Sequence, residues 1–173
     1  MREEYDYLLR YGLILVIGIY ALAPLYWFLT PLTVFGTYLA LSLVSHTTLL
    51  AETSLVFKGE YIALVPACIA GAAYYLLLIC ACTIPISWKE RGKLIATSFG
   101  IFFLVNLLRI LLATYLATSN QSLFDATHAL FWYAGSTLIV IACWFGTATY
   151  YDIKEIPILT DIQNLIKAMQ SKQ

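Results

Sequence analysis

The feature of this sequence that most limits its fold is a long apolar run that contains a permanent charge. The run from Leu94 to Leu116 is long enough to cross a bilayer as one helix. Arg109 lies inside this run, and an arginine keeps its proton at ordinary pH. A charge near the middle of a spanning helix costs about 2.5–3.5 kcal/mol on insertion scales, so such a residue generally faces a polar cavity or a partner. Arg109 is therefore a candidate functional residue.

The composition of the chain is that of a polytopic membrane protein. It is 12% charged and 61% hydrophobic, whereas a soluble domain has roughly 25% charged residues. The formal net charge is zero, so no nucleic-acid partner is predicted. The four cysteines lie in or beside apolar runs, unlike those of a secreted disulfide framework. The first ten residues hold three acidic residues and two arginines, and no clear cleavage site follows, so we interpret the first apolar run as a retained helix.

Five apolar segments are each near the ~20 residues that a membrane span needs. The sequence therefore predicts an all-α, polytopic membrane helical bundle with about five transmembrane helices. A tight helical hairpin is expected where the first two segments join, at Thr30–Pro31. The five segments are approximately Tyr7–Leu29, Pro31–Ala51, Pro66–Ile86, Leu94–Leu116 and His128–Thr149.

Two stretches outside the five apolar segments have residue patterns that predict secondary structure. The Glu52–Val65 stretch alternates imperfectly, which fits either a short strand or a re-entrant stretch over the external face. From Tyr150 onward, apolar residues recur at helical spacing with polar residues between them. This pattern predicts an amphipathic cytoplasmic helix on the membrane surface, or a helix packed against a soluble partner. The predicted division is a transmembrane domain at 1–150 and an interfacial tail at 151–173.

Basic residues in short loops set the predicted orientation. The Ser87–Lys93 loop carries three basic residues and is predicted to be cytoplasmic. Counting helices from this loop places the Glu52–Val65 stretch, the Ala117–Thr127 loop and the N-terminus outside, and the C-terminus inside. The two external loops hold three acidic residues and one lysine, which agrees with this orientation.

Three consecutive predicted helices bring a chemically capable residue to the external face. Arg109 lies seven residues before Leu116, which is roughly 10 Å below the external end of its helix. Cys68 lies at the external start of the third helix, just after Pro66, and His128 lies at the external start of the fifth. We therefore expect Cys68, Arg109 and His128 to lie near one another.

Each of these residue types also has a purely structural interpretation. A lone cysteine in a membrane helix is usually a small packing residue, and we interpret Cys80, Cys82 and Cys143 in this way. Cys68 differs because the dipole at a helix start and a nearby guanidinium both favour its thiolate. A lone histidine at a helix start is more often a capping or interface residue, and this is our interpretation of His46.

Two polar residues are predicted to support the group. Asp125 precedes His128 by three positions, and it either caps the fifth helix or orients the imidazole. Asn106 precedes Arg109 by three positions and so shares its helical face. Asn106 can hold the guanidinium, line the cavity or bond a neighbouring helix.

No metal ion or cofactor is predicted. The only closely spaced cysteines, Cys80 and Cys82, lie inside a predicted span and have no matching Cys/His pair elsewhere, so the spacing of a zinc site is absent. The sequence also has no Gly-rich phosphate loop and no serine nucleophile elbow.

The order of cysteine, arginine and histidine on successive helices resembles the exosortase/archaeosortase family of membrane cysteine transpeptidases. The matching segments are VPACIAGAAYYLLL around Cys68, FFLVNLLRI around Arg109 and DATHALFWYAG around His128. The family pattern also has a small residue before the cysteine, glycine three positions after it, asparagine three before the arginine and glycine seven after the histidine. The resemblance covers roughly Val65 to Cys143, and the ACIAG form is more similar to the archaeal branch.

This resemblance implies a membrane-embedded protease/transpeptidase that processes the C-terminal sorting signals of exported proteins. Residues 1–150 would then form its catalytic domain, with the active site on the extracytoplasmic side of the cell membrane. Carried over by position, Cys68 would be the nucleophile, His128 the general acid/base and Arg109 the stabiliser of the transition state. The partners would be sorting-signal segments and membrane lipids, with a lipid amine or water as the acceptor.

Two other classes of function stay open at the level of the sequence. The chain could be a small transport subunit in which Arg109 and Asn106 bind an anion and Cys68 plays no part. It could also be a structural subunit of an export complex, in which Arg109 pairs with an acidic residue of another protein.

Overall fold

The computed structural model describes residues 2–20, 22–131 and 135–170 and is mostly helical, with one small sheet. The predicted all-α class is therefore confirmed in its coarse form. The helices are α1 (Arg2–Ile19), α2 (Ala23–Ser42), α3 (Pro66–Ile69), α4 (Gly71–Cys82), α5 (Trp88–Ser119), α6 (Gln121–Leu130), α7 (Ser136–Tyr150) and α8 (Leu159–Gln170). The strands are β1 (Thr47–Ala51), β2 (Ser54–Phe57) and β3 (Glu60–Ala63).

Two helices, α2 and α5, are long and apolar enough to cross a membrane. The α3–α4 stretch (Pro66–Cys82) and α7 are apolar but shorter. On the outside of α5, the large apolar side chains of Leu104 and Leu108 remain 61% and 65% exposed. The number of membrane crossings, five in the sequence prediction, stays a prediction.

The predicted hairpin at Thr30–Pro31 is wrong. The chain turns after α1, where Leu22 adopts a left-handed conformation (φ 63°), and α2 then continues through Pro31. Pro24 lies in the first turn of α2, where the missing N–H of a proline breaks no helical hydrogen bond. Pro31 is exposed and lies inside α2, which continues to Ser42, so this proline does not end the helix.

The Glu52–Val65 stretch forms strands, so the strand interpretation is the correct one. Strands β1, β2 and β3 form an antiparallel sheet in that order. Lys58 (φ 52°) and Gly59 (φ 88°) make the two-residue turn between β2 and β3, and two positive φ values are what such a tight hairpin requires. Leu55 and Phe57 of β2 are buried, and they anchor the sheet to the helical core.

Helices α4, α5 and α7 form the centre of the molecule. Near the start of α5, Thr97 bonds Tyr151, which lies just beyond the end of α7 (2.8 Å between the hydroxyl oxygens). Near the other end of α5, Arg109 bonds Ser136 at the start of α7 (3.2 Å). These two contacts show that α5 and α7 are antiparallel.

The turn between α4 and α5 is closed by the buried side chain of Arg91. Its guanidinium donates hydrogen bonds to the carbonyl oxygens of Ala81, Ile84 (3.1 Å) and Ile86 (2.9 Å). Carbonyl groups at a helix end carry partial negative charge and lack partners inside the helix. A cation at this position therefore satisfies the carbonyls and holds α5 against the end of α4. We call this part of the molecule the Arg91 end.

A second buried arginine, Arg10 of α1, also binds at the Arg91 end. Arg10 Nη1 donates to the carbonyl oxygens of Cys82 (3.0 Å) and Ile84 (2.9 Å). It also forms an ion pair with Asp161 of α8 (3.0 Å), and both side chains are 1% exposed. The tail therefore forms the predicted helix, and a buried ion pair attaches that helix to α1, which in turn bonds the end of α4.

The Arg10–Asp161 pair corrects the predicted placement of the N-terminus. The sequence prediction put the two chain ends on opposite sides, yet the first half of α1 and the start of α8 meet at the Arg91 end. Tyr75 of α4 donates to Ile14 O (2.8 Å), so α1 runs antiparallel to α4. The count of helix directions made the first and third helices parallel, whereas α1 is antiparallel to α4, so the predicted position of the N-terminus was wrong.

The third predicted segment is interrupted at Ala70, which is left-handed (φ 60°) between α3 and α4. The fifth predicted segment includes the end of α6 and most of α7, and residues 132–134 lie outside the described residues. His128 lies in the last turn of α6, which begins at Gln121, so it is not at the start of a helix.

Candidate active site

The structure brings the three predicted site residues to one cavity. The cavity has a volume of about 580 Å³, and Cys68, Arg109 and His128 all line it. It lies at the opposite end of α5 from Arg91, between α3, α5, α6 and the segment that follows β2. The remaining cysteines do not line it; Cys82 and Cys143 are buried in the core.

Cys68 is positioned by a single turn of helix. Pro66 begins α3, Cys68 N–H donates to Val65 O (2.8 Å), and Ala70 then ends the turn in a left-handed conformation. The sequence predicted a long helix with Cys68 at its start. Because α3 spans only four residues, the support expected from a helix dipole is small. The thiol is partly exposed and lines the cavity.

Arg109 links α5 to α3 and α7. Its Nη2 donates to Ala67 O (3.1 Å) and lies 3.5 Å from Cys68 O, while Nη1 donates to Ser136 Oγ (3.2 Å). An arginine has five N–H donors. Among the described residues these bonds involve only Nη1 and Nη2. The guanidinium can therefore hold the cysteine-bearing turn and still donate to a ligand in the cavity.

Asn106 holds the cysteine-bearing turn from the same face of α5. It is 2% exposed, and its Nδ2 donates to Cys68 O over 2.8 Å. The sequence left three roles open for Asn106, and the structure selects the bond to a neighbouring helix. Asn106 and Arg109 thus hold the backbone around Cys68 by its carbonyl oxygens and leave its thiol available.

His128 and Asp125 lie on α6, which packs against α5. The His128 ring lies 5.3 Å from the Phe124 ring, and both residues line the cavity. Asp125 does not cap the helix, because the side chain of Asn120 accepts from Leu123 N–H at that end. Asp125 is exposed and accepts from the side chain of Gln121 (3.0 Å).

Two features of the site were not identified from the sequence. Ser136 receives the bond from Arg109 and donates in turn to Phe131 O (2.9 Å), so it joins the guanidinium to the backbone beyond α6. Gly71 lies against the ring of Tyr26, and a Cβ at this position would be 2.7 Å from the ring. The spacing of a glycine three residues after Cys68 was visible in the sequence, but the aromatic partner on α2 was not.

The side chains that line the cavity are suited to nucleophilic chemistry. A thiol, an imidazole and a guanidinium share a cavity, and these groups can supply a nucleophile, a proton carrier and a stabiliser of negative charge. Within the described ranges, no group of three or more His, Cys, Asp or Glu residues could hold a metal ion.

Comparisons of the chain with protein-family models, with curated proteins and with solved structures find no match.

Proposed function

We propose that this protein is a membrane-embedded cysteine transpeptidase of the exosortase/archaeosortase type. It would recognise the C-terminal sorting signals of exported proteins, cleave them through a thioester on Cys68 and transfer the product to a lipid amine, water or another acceptor. The observation that carries this proposal is the shared cavity of Cys68, Arg109 and His128. These three residues are far apart in the sequence and come from α3, α5 and α6.

The proposed reaction has two steps. The Cys68 thiol gives its proton to His128, and its sulfur attacks the carbonyl carbon of the scissile peptide bond. The developing oxyanion accepts hydrogen bonds from Arg109. The C–N bond then breaks, the leaving amine takes the proton from His128, and a thioester remains on Cys68. In the second step an acceptor gives a proton to His128 and attacks the thioester carbonyl carbon. The C–S bond then breaks, and the sulfur of Cys68 takes the proton from His128.

A position across the membrane is supported by the spacing of two arginines on α5. Arg91 and Arg109 are 18 residues apart, which corresponds to roughly 27 Å along a helix. The hydrocarbon core of a bilayer is about 30 Å thick. We propose that the protein is multi-pass, that the Arg91 end is cytoplasmic and that the cavity opens on the extracytoplasmic side. Arg109 then lies near a membrane boundary, where its charge costs less than at the bilayer centre.

The tail helix fits the same arrangement. Leu159, Ile162 and Ile166 of α8 are each more than 40% exposed, whereas Asp161 is buried against Arg10. An amphipathic helix that is fixed on one side and leaves apolar side chains uncovered is suited to a membrane surface. We propose that α8 lies on the cytoplasmic surface of the membrane.

Trapping the acyl-enzyme tests the proposed chemistry. The purified chain in lipid nanodiscs is incubated with synthetic peptides that combine an extended polar stretch, an apolar helix and a basic C-terminal cluster. Intact mass spectrometry should show a peptide adduct that neutral hydroxylamine removes. The adduct should be absent from Cys68→Ala and present in Cys143→Ala, in which a buried cysteine is replaced. An equal adduct on Cys68→Ala, or none on the wild type with any peptide, would overturn the proposal.

Thiol labelling separates the enzyme from the alternative of an anion-transporting subunit. A membrane-impermeant maleimide should label Cys68 in intact cells, because the proposed thiol is reactive and faces outside. An anion site that uses only Arg109 and Asn106 requires no such reactivity. It instead predicts anion flux into liposomes that Arg109→Ala abolishes and Cys68→Ala leaves unchanged.

A further inference from the structure

Strand β3 forms an edge of the small sheet and runs directly into the candidate site. The sheet order is β1-β2-β3, so β3 has a paired side facing β2 and a second side without a strand partner among the described residues. Tyr61 and Ala63 of β3 line the same cavity as Cys68, and Val65 continues the extended conformation (φ −76°, ψ 163°) up to Pro66. An extended backbone edge therefore borders the cavity and ends three residues before the cysteine.

The pairing register shows which backbone groups of β3 point away from β2. Leu64 N–H donates to Thr53 O (2.8 Å), and Ala63 stands opposite Ser54 in the ladder. Hydrogen-bonded and non-hydrogen-bonded positions alternate along an antiparallel pair. The N–H and C=O groups of Tyr61 and Ala63 therefore point outward.

The outward N–H and C=O groups belong to Tyr61 and Ala63, which are two residues apart. A strand that pairs with this edge would form its hydrogen bonds at the same interval. Along a strand, this separation is roughly 6.6 Å. An edge strand that presents unpaired N–H and C=O groups is a template for pairing with another extended segment. Natural proteins often block such edges with charged side chains, yet the outward-bonding positions here carry a tyrosine and an alanine.

We propose that the outer edge of β3 binds an extended segment of the polypeptide substrate by adding it to the sheet as a fourth strand. Main-chain hydrogen bonds to Tyr61 and Ala63 would hold the segment in the cavity and bring its scissile carbonyl to Cys68. This inference rests on the proposed function. The inference adds the substrate class, which is an extended, unfolded segment bound by its backbone. Binding should therefore depend little on the side chains of the paired substrate residues.

The position of the edge favours a substrate segment over a second copy of the chain as its occupant. The β3 edge faces a cavity that Cys68, Arg109 and His128 also line, whereas the edge on the far side of the sheet, β1, does not line this cavity. A permanent strand partner from a second copy would cover the approach to the thiol. A substrate segment bound at the thiol lies in the cavity that residues of this edge line.

The test measures peptide binding without requiring turnover. The probe is a fluorescein-labelled, acetylated hexapeptide of alternating threonine and valine, and its binding to the purified chain in nanodiscs is followed by fluorescence anisotropy. We expect saturable binding. A version N-methylated at every second residue keeps one hydrogen-bonding edge and should still bind, whereas a version N-methylated at every residue should not. Equal binding of the fully methylated peptide, or no saturable binding of the unmodified one, would overturn the proposal.

Two proline variants locate the binding edge. Ala63→Pro removes an outward N–H that the β2–β3 ladder does not use, and we expect about tenfold weaker binding. The matched control is Leu50→Pro, at the bulge of the opposite edge strand, where proline is also tolerated. Equal losses for both variants, or none for Ala63→Pro, would contradict the proposed edge.

Two further measurements separate this inference from its alternatives. Cys68→Ala should bind the probe as tightly as the wild type does, so binding tests the edge even if the chemistry proposed for Cys68 is wrong. The oligomeric state of the wild type and of Ala63→Pro should be the same. A dimer that Ala63→Pro dissociates would show that the edge pairs with a second copy, and this would overturn the proposal.

Discussion

At both ends of the bundle, arginine side chains donate hydrogen bonds to backbone carbonyl oxygens, but the two ends differ in how deeply the arginines are buried. At the Arg91 end, Arg91 and Arg10 donate to carbonyl oxygens at and just beyond the end of α4, and both side chains are at most 1% exposed. At the cavity, Arg109 donates to the carbonyl oxygen of Ala67 in the short helix α3, but it is only partly buried. The Arg91 end is filled by protein, whereas Arg109 faces open space.

This difference separates a structural arginine from a functional candidate. The same cation can satisfy helix-end carbonyls at either place, so its bond to a carbonyl does not by itself indicate catalysis. What distinguishes Arg109 is that a thiol and an imidazole line the same cavity and that it has N–H groups left to donate. Loss of an arginine should therefore affect stability at the Arg91 end and reaction rate at the cavity.

The largest effect on stability is expected from Arg91→Met. The substitution keeps an apolar stem of similar length and leaves the carbonyl groups of Ala81 and Ile86 without this donor. A buried polar group without a partner costs about 1–3 kcal/mol, so the two together should cost roughly 2–6 kcal/mol. The unfolding midpoint in detergent should fall sharply. Lys89→Met, at an exposed neighbouring position, should leave it unchanged. Equal shifts for the two variants would contradict the structural role of Arg91.

Arg109→Met should lower the reaction rate strongly and the stability only a little, which is the reverse of what we expect for Arg91→Met. We expect the rate of thioester formation to fall by about 10²–10³, as is typical when a donor to an oxyanion is removed. The expected loss of stability is smaller than for Arg91→Met, because Ala67 is exposed and its carbonyl can be hydrated. The measurements are single-turnover acylation with the peptide from the trapping experiment and the unfolding midpoint. A large loss of stability with an unchanged rate per folded molecule would make Arg109 a structural clamp only.

The sequence was sufficient to predict the group of residues at the cavity. Cys68, Arg109 and His128 each lie near the end of an apolar run, and a bundle with alternating helix directions brings such ends together. The detailed geometry around Cys68 was not predictable. The left-handed conformation of Ala70 ends α3, and an alanine gives no sequence signal for that conformation. The prediction that a helix starts at His128 was also wrong, because α6 begins earlier, at Gln121.

The Arg91 end could not be predicted from the sequence. Arg10 and Asp161 are 151 positions apart, in the first apolar segment and in the amphipathic tail, and neither pattern identifies the other residue as its partner. Their pairing depends on where α1 turns, and the choice between Pro24 and Pro31 as a helix boundary is not decided by local propensity. Burial of charge is a tertiary effect, so only the assembled bundle reveals which arginines are enclosed.

A smaller effect on stability is expected from breaking the Arg10–Asp161 pair. Removing one partner of a buried ion pair typically costs 3–5 kcal/mol, and we expect about 2–3 kcal/mol for Asp161→Asn because Asp6 also contacts Arg10 (2.9 Å). Asp152→Asn is the matched control, since Asp152 forms an exposed ion pair with Lys154 and should contribute less than about 1 kcal/mol. If both substitutions lower the unfolding midpoint equally, the buried pair does not hold α8 in place.

The smallest effect is expected from Ser136, which bonds Arg109 at the cavity. Ser136→Ala removes the hydroxyl that links Arg109 to Phe131 O, and a single hydrogen bond contributes about 1 kcal/mol. We expect acylation to slow by up to about tenfold while the unfolding midpoint changes little. Thr147→Val on the same helix removes a hydroxyl that donates to Cys143 O (2.7 Å), away from the cavity, and it should leave the acylation rate unchanged. Equal rates for both variants would mean that the guanidinium is held well enough by the α3 carbonyls, and that Ser136 has no part in orienting it.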